Sequence, residues 1–90
     1  MAISILRAAQ IKDRFRIARS TLHYWQGLGL FPKSIAFGRN FSGVIEHEAE
    51  AVMLARSGGA TDDEIRQLVT QLEQKRVAAL AGILAGSADA

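Results

Sequence analysis

Residues 21–34 read TLHYWQGLGLFPKS, a helical phrase with two aromatics side by side that runs into Gly-Leu-Phe-Pro-Lys and stops. Gly27 and Gly29 weaken the helix end, and Pro32 prevents its continuation. A helix is therefore expected over residues 18–28. Its spacing turns Ala18, Leu22 and Trp25 inward and leaves Arg16, Arg19, Ser20, His23, Tyr24 and Gly27 on the opposite face. A packed core has no use for that polar and aromatic mixture. It belongs to a face that meets something else.

Working outward, RAAQIKDRF (7–15) places Ala8, Ile11 and Phe15 on one helix face, with a turn expected near Arg16 before Ile17. Two short helices joined by a tight turn make a helix-turn-helix. Downstream, SIAFGRNFSGVI (34–45) reads as a hairpin. Ile35–Phe37 is extended in character, Gly38-Arg39-Asn40 is turn chemistry, and Phe41–Ile45 returns. Glu46, Glu48 and Glu50 then gather at the start of a third helix, where carboxylates suit the positive end of the dipole. That helix should run past Val52 and Met53 to Arg56 and stop at Gly58-Gly59.

Thr61-Asp62-Asp63-Glu64 is a capping box opening a fourth helix. Ile65, Leu68, Val69 and Leu72 form its apolar stripe, which Ala79, Leu80 and Ile83 extend beyond an interruption at Arg76. Continued to Leu84, the helix would span about 34 Å at 1.5 Å per residue, more than so small a domain can cover. Residues 86–90 are expected to fray.

Composition narrows the function classes. Ninety residues suit one domain, and the absence of cysteine removes disulfides and thiolate metal sites. No segment has membrane-spanning length or the form of a signal peptide, so a cytoplasmic protein is expected. Ser20 and His23 lack an acid to orient the imidazole. Two histidines fall short of a metal cluster, and the glycines form no phosphate loop. No enzyme activity, metal or cofactor is expected. The net charge of +2 conceals a division: residues 1–45 hold seven bases against Asp13 alone, whereas residues 46–90 hold four bases against eight acids. A basic half is what a phosphate backbone attracts, although a merely solvated surface has the same charge.

Thr21-Leu22-His23-Tyr24-Trp25 followed by Gly29-Leu30-Phe31-Pro32 resembles the recognition-helix signature of MerR-superfamily regulators. Gly58–Val69 is similar to that family's later helix. Arg19-Ser20-Thr21-Leu22 with Phe31-Pro32-Lys33 looks most like its small AlpA and excisionase branch. The resemblance covers about residues 5–72. It implies a mainly α fold with a short β-hairpin: a MerR-like winged helix-turn-helix over residues 1–73, with a helical extension and tail over 74–90. Three positions depart from the pattern. Arg16 stands where the family has Gly, Ala18 where it has a capping Ser, and Gly43-Val44-Ile45 where the wing carries an aromatic and Arg, or Trp.

The resemblance also implies double-stranded DNA as the partner. Arg19, Ser20 and His23 are then candidates for base contacts in the major groove. Thr21, Tyr24 and Lys33 are candidates for phosphate contacts, with Arg16 at the turn beside them and Arg39 and Asn40 at the hairpin tip. Each has an ordinary alternative: Tyr24 as the rim of the core, His23 as a solvated helix residue, and Arg7, Lys12 and Arg14 as a solvated face. Two uses stay open, recombination directionality in an excisionase-type factor and transcription regulation. A site-specific recombinase or RNA polymerase is the corresponding protein partner. Leu72, Leu80 and Ile83 are expected to make self-association contacts, cooperative on DNA. A protein-interaction module acting through the long fourth helix is the rival from another class.

Overall fold

The computed structural model describes residues 4–89, with side chains through residue 86. The elements run β1 (Ile5–Leu6), α1 (Ala8–Phe15), α2 (Arg19–Gly27), β2 (Ile35–Gly38), β3 (Phe41–Ile45), α3 (Glu46–Ser57) and α4 (Asp62–Asp89). The fold is mainly helical with a small three-stranded antiparallel sheet in the order β1-β3-β2. The β2–β3 hairpin and all four helices fall where the sequence predicts them. β1 is an addition, pairing Ile5 with Ile45 and Leu6 with Val44.

β1 also accounts for the wing sequence. A Cβ on Gly43 would lie 2.6 Å from Ile5 Cγ2 and 2.7 Å from the Leu6 carbonyl oxygen. No side chain fits there, so the hairpin cannot carry an aromatic at that point. Val44, on the other face of β3, is fully buried.

The core is built from Ile11, Ile17, Leu22, Phe31, Val44, Val52, Ile65, Val69 and their neighbours. Leu30-Phe31-Pro32 is buried although it is a loop. Gly29 makes this possible with φ +74°, a left-handed conformation that turns the chain back under α2. The Leu30 amide then donates to the Trp25 carbonyl at 2.8 Å. Gln26 Nε2 donates to the Pro32 carbonyl at 3.0 Å. The glycine-rich stop thus drives three apolar residues inward and clamps the end of α2 against them.

Several expectations need correction. Ala18 is exposed, not inward, because α2 begins one residue later and Ala18 is extended at ψ 147°. Trp25 is half-buried and meets both the Phe31 ring, 6.4 Å away between centroids, and the guanidinium of Arg56, whose Cζ is 4.3 Å from the indole centroid. Arg56 Nε and Nη2 have no hydrogen-bond partner among the described residues and sit over this ring. Leu72 is a core residue at 8% exposure, so it is not available to a partner as expected. α4 does not fray at residue 86 but continues to Asp89; Ala90 lies outside the described residues.

Glu48 is the largest surprise. It is 2% exposed, and Arg76 Nε donates to both of its carboxylate oxygens at 2.9 Å while Nη2 also donates to Oε1. Pairing with Glu48 raises the Arg76 pKa further, outweighing its partial burial. Arg76, which breaks the apolar stripe in the sequence, therefore docks α4 onto α3. The boundary expected between residues 73 and 74 falls inside this unbroken helix, and Arg76 belongs to the packed unit. Glu64 and Thr61 form the expected box: the Thr61 amide donates to Glu64 Oε1 at 2.9 Å, and the Glu64 amide to Thr61 Oγ1 at 3.2 Å.

Candidate nucleic-acid interface

α2 is held from below and open above. Leu22 and the Leu30-Phe31-Pro32 loop anchor its inner side, and Arg66 Nε of α4 donates to the Leu28 carbonyl at its end, 2.9 Å away. With the inner side fixed, the helix period directs Arg19, Ser20, His23 and Tyr24 to solvent. Tyr24 is 66% exposed, which places it outside the rim of the core. Thr21 is half-buried beside Leu22 and has less reach.

Two features mark the start of α2, the first of them shared with α3, whose N-cap Ile45 also makes no side-chain cap bond. Ala18 occupies the N-cap position and makes no side-chain cap bond. Its methyl group cannot accept from the first-turn amides, a role Ser, Thr, Asp or Asn performs elsewhere. Two residues before it, Arg16 adopts φ 59°, ψ 37°, a left-handed conformation. That conformation costs an ordinary side chain roughly 1–2 kcal/mol. An exposed arginine thus stands at a strained position where glycine would fit better. Lys12, Asp13, Arg16, Ile17 and Ala18 line a groove at the start of α2, two cations against one carboxylate. Positive charge and unsatisfied N–H groups at a helix start are suited to an anionic oxygen.

The remaining candidates sit on other elements. Lys33 is exposed just after Pro32, and only its backbone amide is engaged, donating to Glu73 Oε2 at 3.4 Å. Arg39 and Asn40 form the hairpin turn and are exposed. α2 therefore collects Arg19, Ser20, His23 and Tyr24, the preceding turn adds Arg16, and the hairpin holds Arg39 and Asn40 apart from them in sequence.

Pairing sorts the cations further. Arg14 lies 2.7 Å from Glu46 and 2.5 Å from Glu50, so it is part of the α1–α3 contact and not an open base. The hydrogen bond that Arg14 donates to Glu50 and the nearby carboxylate of Glu46 raise its pKa, with desolvation opposing them. Arg7 stacks over Phe41, 4.4 Å from the centroid. Among the described residues, Lys12, Arg16, Arg19, Lys33 and Arg39 show no carboxylate partner within 4 Å. Lys12 was legible only as one of a solvated set. The missed signal is its spacing, one helical turn before Arg16.

At the far end, Val77, Leu80, Ile83 and Leu84 are 56–68% exposed, so Leu80 and Ile83 remain free to meet a partner. Among the described residues, no helix is long and apolar enough to cross a membrane. No protein-family description, no curated protein and no solved structure matches this chain.

Proposed function

We propose that this chain is a winged helix-turn-helix protein of the MerR and AlpA type that binds double-stranded DNA in a sequence-specific way. The observation carrying this reading is the outer side of α2: an uncapped start beside Lys12 and Arg16, followed by exposed Arg19, Ser20, His23 and Tyr24. In this reading α2 enters the major groove. Arg19, Ser20 and His23 address base edges, while Lys12, Arg16 and the α2 amides fix a phosphate at the helix start. Tyr24 and Lys33 hold a second stretch of backbone, and Thr21 supports the helix from its edge. No cofactor or metal is required.

Within that reading we favour an excisionase-type architectural role on a mobile element, with transcription regulation as the alternative. The relevant observation is the exposed apolar end of α4, which gives neighbouring copies something to meet. Copies would load cooperatively on adjacent sites, with a recombinase or RNA polymerase alongside, in the nucleoid. The free chain should be a monomer or weak dimer, because exposed charge attraction is screened over about 8 Å at physiological salt. The same exposed end favours the second reading, a protein-interaction module with the helix-turn-helix as scaffold.

Footprinting on the DNA flanking the chain's own gene separates these uses. Protection at a recombination site supports the architectural role, and protection at a promoter supports regulation. Absence of salt-sensitive binding to any duplex leaves only the interaction module.

A further inference from the structure

The hairpin carries a feature that a supporting wing does not need. Phe37 is 45% exposed, and its ring lies 5.7 Å from that of Phe41 on the next strand. Neither ring is among the residues packed on the core. The pairing register slips between Ala36 and Gly38, so Phe37 sits at an irregularity that bends the end of the hairpin. The Arg7 guanidinium lies over the Phe41 ring, 4.4 Å from its centroid. Ahead of it, the turn is Arg39-Asn40. Residues 34–45 contain no acid, and Arg39 is their one charged group.

We propose that the end of this hairpin is a DNA-kinking wedge, with Phe37 inserted at a base step from the minor groove and Phe41 backing it. This rests on the DNA-binding reading above and adds a second contact site to it. The chemistry is specific. An apolar ring that enters between base pairs replaces stacking it disrupts, and a rigid backing ring keeps it from folding away. Arg and Asn are the side chains that address the minor groove, and a turn holding both sits next to the ring. The Arg7–Phe41 contact serves as the brace.

The test uses the full chain and a duplex it enriches from a random pool, with 2-aminopurine placed at successive positions and dyes at the two ends. Bound wild-type protein should raise the fluorescence of one or two adjacent positions and shorten the end-to-end distance. Phe37→Ser should abolish both signals and weaken binding by roughly tenfold, the scale of one lost ring–base stack. Phe37→Leu should keep both, since a leucine is also a wedge. Should the serine variant fail to fold, the wild-type and leucine results still decide. Binding with flat fluorescence at every position overturns the wedge and leaves the DNA reading standing. Unchanged signals in Phe37→Ser overturn it equally, including the case in which the hairpin faces a protein. Failure to enrich any duplex overturns both.

Discussion

The cations of this small protein differ in their pairing in a way that the sequence does not distinguish. At the back, Arg14, Arg56, Arg66 and Arg76 each have a carboxylate within 4 Å: Arg14 ties α1 to α3 and Arg76 ties α4 to α3. The front set, Lys12, Arg16, Arg19, Lys33 and Arg39, has none among the described residues; Arg7, over the Phe41 ring, and Lys75 also have none. A cation beside a protein carboxylate is spent on the fold, whereas one facing water is available to another anion. The difference teaches that a charge count over half the chain overstates the binding face. Arg14 lies in the basic half by position and in the scaffold by contact.

The comparison breaks first if a back arginine can be removed without harm. Arg76→Ala leaves the buried Glu48 carboxylate unpaired and should cost about 3–5 kcal/mol of stability. A thermal melt would register it as a large fall in Tm. Replacing both partners together, Glu48→Leu with Arg76→Met, should recover most of that loss, because the cost lies in the stranded charge. A single variant as stable as the parent would remove the distinction at the back.

A front arginine should show the opposite pattern. Arg19→Ala is expected to weaken specific DNA binding by about 1–3 kcal/mol while Tm stays where it was. Gel shifts and melts on one preparation measure both quantities. Normal affinity in that variant would take α2 out of the groove.

Arg16 sharpens the contrast because it should do both at once. Arg16→Gly relieves the left-handed strain and should raise stability by roughly 0.5–1 kcal/mol, while losing a phosphate contact and weakening DNA binding. Stability and affinity moving in opposite directions is the signature of a residue kept for its ligand. If both fell together, Arg16 would be a structural residue.

The smallest effect concerns Glu64, an exposed group whose pKa is held below the usual carboxylate value by the Thr61 backbone amide and then its hydroxyl. A depressed folded-state pKa stabilises the folded chain above the unfolded-state value. That contribution disappears as pH falls through the folded value. Melts of parent and Glu64→Gln should therefore converge on acidification below the ordinary glutamate range and differ slightly at neutral pH. A constant difference at all pH values would mean the charge of Glu64 is irrelevant to the cap.

Local chemistry explains which parts were legible in the sequence. The end of α2 is written in Gly29 and Pro32, the start of α4 in Thr61 and Glu64, and the hairpin turn in Gly38-Arg39-Asn40. Each is determined by residues within four positions of one another. What was not legible depends on distant partners. β1 is two residues long and exists because Ile5 meets Ile45. Glu48 looked like one of three helix-start carboxylates, and nothing near it announces Arg76, 28 positions away. Leu72 and Leu80 carry the same side chain on one helix, and only the position of α3 makes the first core and the second exposed. At the candidate interface, the outward face of α2 followed from helix period alone. That no carboxylate lies within 4 Å of Lys12 among the described residues, while two lie that close to Arg14, could not be read from a single strand of letters.

The claim at the centre is that the front cations engage DNA, most of them at phosphates, and salt titration of DNA affinity tests it most directly. Fluorescence anisotropy from low to moderate salt should give a log–log slope steeper than about −3, at about −0.9 per phosphate neutralised. Lys12→Ala should make that slope shallower by about one unit, as expected for one lost phosphate contact. A nearly flat response, or a slope that Lys12→Ala leaves unchanged, would contradict the account.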